Sequence, residues 1–163
     1  MQEKLDFEAL YRLYFSPLYR YALVLCGSAA EAEDAVQNAF ERAMRAEQGF
    51  RGDSSAKTWL FTITRNECLR QLGKRPPNEN RESGELESAV YVEQTACDRE
   101  AARVVLDYIE ACGEPKKSLL AMRLLGERSF ADIGAVLGKS DTWCRVTFLR
   151  AKNEILKRLE GYL

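Results

Sequence analysis

Between Pro76 and Gln94 the chain reads PPNENRESGELESAVYVEQ, with two prolines, five glutamates and little helical periodicity until its end. Proline lacks a backbone donor and disfavours a helix interior, and a run of like charges repels itself, so this stretch reads as a flexible acidic linker. A structureless loop of this length is uncommon inside a compact domain. The chain is therefore expected to divide here into two small units, 1–75 and 96–163, with 76–95 as the tether.

Both flanks carry helical patterns and no strand-like alternation, which predicts an all-α fold. Asp6 is placed to cap a first helix in which Phe7, Leu10, Tyr11, Tyr14, Phe15, Leu18, Tyr19, Ala22 and Leu23 recur at three- and four-residue steps. Cys26-Gly27-Ser28 ends it, and Ser28 can cap the next. There Ala35, Val36, Ala39, Phe40, Ala43 and Met44 form the apolar side, leaving Asp34, Gln37, Asn38, Glu41, Arg42 and Arg45 on the other. The segment from Gln48 to Ser55 breaks the pattern with two glycines and several capping residues. A third helix follows, turning Leu60, Ile63, Thr64, Cys68 and Leu72 inward and stopping at Gly73.

Past the linker, a helix is expected around Cys97 to Ala111 with Ala101, Val104, Val105, Tyr108 and Ile109 as its stripe. A short one follows, carrying Leu119, Leu120, Met122, Leu124 and Leu125 and ended by Gly126. Ser129-Phe130-Ala131-Asp132 resembles a capping box and opens a helix with Phe130, Ile133 and Leu137 inside. Gly138 stops it, and Ser140 caps a final helix with Cys144, Phe148, Ala151, Ile155 and Leu159 inside. Helix, short glycine turn, helix is the helix-turn-helix arrangement.

Composition narrows the chemistry. The chain has no histidine, which removes the commonest general base and the Ser-His and Cys-His nucleophile pairs. Its five cysteines have no C-x-x-C spacing, so no metal site is expected, and those on apolar faces read as small buried hydrophobes. No cofactor and no catalysis are expected. No apolar run approaches a membrane span, and MQEKLDFEAL lacks the apolar core of a secretory signal, which points to a cytoplasmic protein without membrane insertion.

The net charge of -1 conceals an alternation. Residues 1–50 carry 5 positive and 8 negative side chains, 51–75 carry 6 and 2, 76–100 carry 2 and 7, and 101–163 carry 11 and 8. Two locally basic units around an acidic one fit nucleic-acid contact at two places.

The two basic units differ in kind. With its inward set removed, the final helix offers Asp141, Thr142, Trp143, Arg145, Val146, Leu149, Arg150 and Lys152, and such a helix enters the major groove of duplex DNA with its N-terminal end first. Phe50 to Asn66 instead holds a Gly-Asp-Ser-Ser loop, Trp59, Phe61 and the cations Arg51, Lys57 and Arg65. Basic residues beside aromatic surface suit single-stranded DNA, and this loop could hold an extruded base. The competing reading makes Trp59 and Phe61 core residues and the loop a plain connection.

These residues resemble the extracytoplasmic-function sigma factors of bacterial RNA polymerase. DAVQNAFERA at 34–43, FRGDSS at 50–55 and TWLFTITRN at 58–66 are similar to the family's second conserved region, and SFADIGAVLGKS at 129–140 with the helix through RAK at 150–152 is similar to its fourth. The resemblance implies that Asp34, Gln37, Asn38, Glu41, Arg42 and Arg45 dock on core polymerase. It implies that Phe50, Arg51, Gly52, Asp53, Ser54, Ser55, Lys57, Thr58, Trp59, Arg65 and Asn66 open and read the minus-ten element as single strand. Ser140, Thr142, Trp143, Arg145, Val146, Leu149, Arg150 and Lys152 would read the minus-thirty-five element as duplex. The linker would thread toward the RNA exit channel, and a cognate anti-sigma factor, often membrane-tethered in this family, would hold the protein inactive.

Two departures stand out. Asp141-Thr142-Trp143-Cys144 replaces the small and aliphatic residues common at the recognition helix, and Glu67 is less apolar than usual. With nothing after Leu163, the chain is expected to be a minimal two-domain member. The alternatives are a stand-alone helix-turn-helix regulator, which would need no basic aromatic loop near Phe50, and a helical hydrolase built on Glu31, Glu33 and Asp34. Those carboxylates are better read as charges complementing a helix N-terminus.

Overall fold

The computed structural model describes residues 5–46, 55–74, 96–126 and 128–161, with backbone alone for 96–98. All the regular structure among them is helical: α1 (Phe7–Cys26), α2 (Ala29–Arg45), α3 (Ala56–Gly73), α4 (Ala96–Ala111), α5 (Lys116–Leu124), α6 (Phe130–Leu137) and α7 (Asp141–Glu160). The linker and the loop from Gln48 to Ser54 lie outside the described residues.

Helix ends follow local chemistry. The Asp6 carboxylate accepts from the Ala9 amide at 3.1 Å, and α1 ends where Gly27 turns left-handed at φ 73°. Ser28 does precede α2, but its side chain makes no capping bond there, contrary to expectation. Ser55, Ser129 and Ser140 each accept from an amide three residues on, at 3.1, 3.1 and 3.0 Å.

α1, α2 and α3 pack on one another, as do α4 to α7. The two groups also meet: α1 lies against α4 and α5, and α3 lies against α6. The buried residues of α1 all follow Pro17, and from Tyr21 to Cys26 every residue is fully buried. A helix that is apolar on every side belongs in an interior, and here α2 and α3 cover one side while the C-terminal helices cover the other. One continuous core results, in which Leu18, Tyr21, Phe61, Leu119, Leu120 and Ile133 are all fully buried.

Several side chains depart from the expected faces. Met44 is 56% exposed and Leu124 42% exposed, so neither belongs to the core. Phe61 is fully buried, which favours the core reading for this residue. On α4 the buried residues are Ala102, Leu106, Tyr108 and Ile109, whereas Ala101, Val104 and Val105 are half-buried. α4 packs against α1, α5 and α7, so a single stripe does not describe what it buries.

A polar clasp ties α4 to α7. The Tyr108 hydroxyl donates to Glu154 and accepts from Lys116 Nζ at 2.9 Å. That bond from Tyr108, with Lys116 beside it, holds the Glu154 carboxyl below its ordinary range.

Candidate nucleic-acid interface

The C-terminal surface is built around a tight turn. Gly138 is left-handed at φ 69°, and its amide and that of Lys139 both turn back to the Gly134 carbonyl, the latter at 3.0 Å. A Cβ at Gly134 would stand 2.6 Å from the Lys139 carbonyl oxygen, so only glycine lets the chain double back this closely. α7 then starts at Asp141, with the Ser140 hydroxyl closing its first turn.

Cys144, Ala151 and Ile155 anchor α7 in the core, and Phe130 and Phe148 pack with ring centroids 5.5 Å apart. Burial pushes the Cys144 thiol up, which suits an inert packing residue. With that face fixed inward, Ser140, Thr142, Arg145, Val146, Leu149, Arg150 and Lys152 are exposed and Trp143 is half-buried. Val146 is 42% and Leu149 57% exposed, an apolar element between the cations. Arg145 is oriented by Asp141, which accepts from its Nε and Nη2 at 3.3 and 3.1 Å. Lys139 lies over the Trp143 ring at 5.3 Å, a contact that sequence spacing did not suggest.

The surface at the start of α3 is more confined. Of its expected members, Phe50, Arg51, Gly52, Asp53 and Ser54 lie outside the described residues. Ser55 and Asn66 are exposed, while Lys57, Trp59 and Arg65 are half-buried. Thr58 is 3% exposed, and its hydroxyl receives the Ser55 hydroxyl at 3.0 Å, so it serves the helix cap in this structure and is not offered to a ligand. Lys57 Nζ sits 5.1 Å from the Tyr14 ring. Arg65 donates through Nε to the Ser118 hydroxyl and through Nη2 to Glu114, both at 3.3 Å.

On α2, Asp34, Gln37, Glu41, Arg42 and Arg45 are exposed along one face and Asn38 is half-buried beside them. Arg42 is already engaged: its Nε lies 2.5 Å from Glu67, whose side chain is 3% exposed and also meets Arg70 at 2.8 Å. Glu67, unusual in the sequence, is thus a buried carboxylate held between two guanidinium groups, and Arg42 keeps an outer surface with 58% of its side chain exposed. Sequence periodicity could not find this, because a glutamate at an inward position reads as a break in the stripe until its partners are seen.

Among the described residues no cluster of His, Cys, Asp and Glu could hold a metal ion, and no helix is long and apolar enough to cross a membrane.

Comparison with known proteins gives this geometry its class. The Sigma-70 region 2 family matches residues 10–76, which take in most of α1 and all of α2 and α3. The ECF RNA polymerase sigma-E factor of Escherichia coli strain K12 is 31% identical over 142 residues, covering 80% of this chain and 74% of that protein. The sigma-E factor of Haemophilus influenzae is 30% identical over 139 residues, with 78% and 74% covered. Among solved structures, the sigma factor RpoE in complex with the anti-sigma factor NepR from Bartonella quintana superposes with a TM-score of 0.73 at 23% identity, covering 95% of this chain and 97% of that one. CnrH, in complex with the cytosolic domain of CnrY, gives 0.72 at 21% identity, with 95% and 88% covered. The chain belongs to the extracytoplasmic-function (ECF) sigma factors, and its function is that of an RNA polymerase sigma factor.

Proposed function

We propose that residues 1–75 form the polymerase-docking and minus-ten unit, that 76–95 tether it, and that 96–163 form a helix-turn-helix unit for the minus-thirty-five element. The observation that carries this division of labour is the outward face of α7. Its cations Arg145, Arg150 and Lys152, exposed apolar residues Val146 and Leu149, and capped N-terminus are the parts a major-groove reader needs. Phosphate contacts position such a helix and base-edge contacts specify its sequence, so Arg145, oriented by Asp141 near the helix tip, is assigned to a base edge, and Lys152, one turn or more behind, to phosphate.

The exposed polar face of α2 (Asp34, Gln37, Asn38, Glu41, Arg42 and Arg45) is the surface for core polymerase. The start of α3, with Lys57, Trp59, Arg65, Asn66 and the loop before it, is the surface for single-stranded promoter DNA. Control by an anti-sigma factor is supported by the two structural neighbours, each of which was solved with such a partner or with a cytosolic domain bound. The protein works without catalysis of its own and needs no cofactor, since polymerase supplies the chemistry. Glu31, Glu33 and Asp34 sit in the first turns of α2, where carboxylates complement the helix dipole.

Run-off transcription with core polymerase over promoter fragments, with and without this protein, tests the reading. Transcripts from fragments sharing two spaced motifs are the expected result. A protein that shifts duplex DNA alone and yields no transcript would be a stand-alone regulator.

A further inference from the structure

Arg145, assigned above to a base edge, is held by two neighbours. Both carboxylate oxygens of Asp141, the first residue of α7, accept from it, Oδ1 from Nε at 3.3 Å and Oδ2 from Nη2 at 3.1 Å. The guanidinium also stands 5.9 Å from the centre of the Phe130 ring, which is set in turn by the Phe148 ring at 5.5 Å and the Arg123 guanidinium at 4.1 Å. One edge of the group is therefore occupied and its swing is limited by the aromatic beside it. The pair stays at the surface, with 66% of the Arg145 side chain and 47% of that of Asp141 exposed.

We infer that Arg145 reads the major-groove edge of a guanine and that Asp141 is the positioning residue that keeps it on the base and off the phosphates. The inference rests on the recognition-helix reading of α7 and adds to it which base is read and what makes the reader selective.

The argument starts from donors. A guanidinium carries five N–H groups. Asp141 takes one on Nε and one on Nη2, which leaves two on Nη1 and one on Nη2, all donors along the outer edge. In the major groove guanine presents two acceptors, O6 and N7, where adenine presents one acceptor and one donor. An edge of donors alone satisfies the first and leaves a donor facing a donor on the second. Charge then decides between base and backbone. A lone arginine is drawn to the phosphates, which carry full charges. With Asp141 against it the pair is nearly neutral, and a phosphate that approaches Arg145 also meets the carboxylate. The guanine edge carries no net charge and is not repelled in this way. Lys152, assigned to phosphate, has no carboxylate partner among the described residues. Asp141 also complements the dipole at the start of α7, a role that does not depend on Arg145.

The test uses two readouts. Core polymerase reconstituted with the full chain selects from a pool of duplex fragments of randomised sequence, and sequencing the bound fraction gives the base enriched at each position. Anisotropy of a labelled random-sequence duplex against salt, with the full chain alone, measures contact that ignores sequence. The wild type is expected to enrich guanine at a position that Arg145→Ala leaves unselected. Asp141→Asn keeps the shape of the side chain without its charge. It is expected to relax the preference at that position several-fold, to tighten binding of the random duplex, and to steepen its log-log salt slope by about one. Damage to the helix alone would weaken that binding, the opposite sign. Glu160→Gln makes the same charge change at the exposed end of α7, roughly 22 Å along the helix from Arg145, and is expected to match the wild type in both readouts because screening acts within about 8 Å. Unchanged selectivity and salt slope in Asp141→Asn overturn the positioning role and leave α7 as the reader. Enrichment of another base at the position that depends on Arg145 overturns the guanine assignment. A uniform loss of binding in Arg145→Ala with no position altered makes Arg145 a phosphate contact and overturns it as well. A bound fraction without an upstream motif for any of the proteins removes the recognition-helix reading, and this inference with it.

Discussion

The two candidate DNA surfaces are built from similar residue types, cations beside aromatics, and the fold treats them in opposite ways. On α7 the aromatic Phe148 goes inward and the cations Arg145, Arg150 and Lys152 go out. At the start of α3, Phe61 goes inward as well, but Arg65 follows it to the junction between the helical units. The difference is one of neighbours. α7 lies against its own group of helices, α4, α5 and α6, and its remaining face meets solvent; α3 lies under α6 of the other group. The face proposed to read duplex is therefore exposed in the free chain, whereas the one proposed for unstacked bases is partly spent on internal contacts.

On that contrast, substitutions in the α3 block cost stability and those of the exposed α7 cations cost binding alone. The largest effect is expected at Phe61. Removing a fully buried aromatic ring should cost about 3–5 kcal/mol, measured by urea unfolding, and a loss below about 1 kcal/mol would mean that the junction does not depend on it. Arg145→Ala and Arg150→Ala should each weaken transcription from a cognate promoter by about 1–3 kcal/mol per lost base contact while unfolding like the wild type. Unchanged transcription from both variants would sink the recognition-helix assignment. Ser140→Ala should cost about 1 kcal/mol of stability, because the Trp143 amide loses its acceptor; a neutral result would place the start of α7 under tertiary control.

The smallest effect concerns acid. Glu154 is held low chiefly by the Tyr108 hydroxyl, so its contribution is present above the unfolded carboxyl pKa and is lost as pH falls through the lower folded value. Glu154→Gln should flatten the acid limb of the stability curve slightly, and a parallel displacement of the whole curve would assign the stabilisation to packing.

Much of the helical plan was legible locally. Asp6, Ser55, Ser129 and Ser140 each cap the helix that follows, because capping depends on a side chain and an amide three residues away and on little else. Ser28 shows the limit: it has the right chemistry and position, yet makes no such bond. The candidate surface on α7 was equally readable, since one apolar stripe fixes which side chains are left over. Asp141 and Lys139, which orient Arg145 and cover Trp143, were less so, because their roles depend on rotamers.

The apolar run Tyr21–Cys26 held the one overlooked clue to the junction. Its leftover faces are as apolar as the expected stripe, which a helix tolerates only when something covers them. Ser118 and Glu114 gave no comparable signal. A serine in a short helix and a glutamate before a proline are ordinary until a distant residue is brought beside them.

The amino-acid sequence by itself determined the helices, most of their caps, the chemistry of the two basic segments and the resemblance to a sigma factor, because these depend on periodicity and neighbours within a few positions. Only the tertiary structure decided that Glu67 is clamped between Arg42 and Arg70, that Phe61 is core, and that Arg65 meets Ser118 and Glu114. Each of these depends on which surfaces two helices turn toward each other, and contacts between residues 49 or 53 positions apart leave no trace in local spacing.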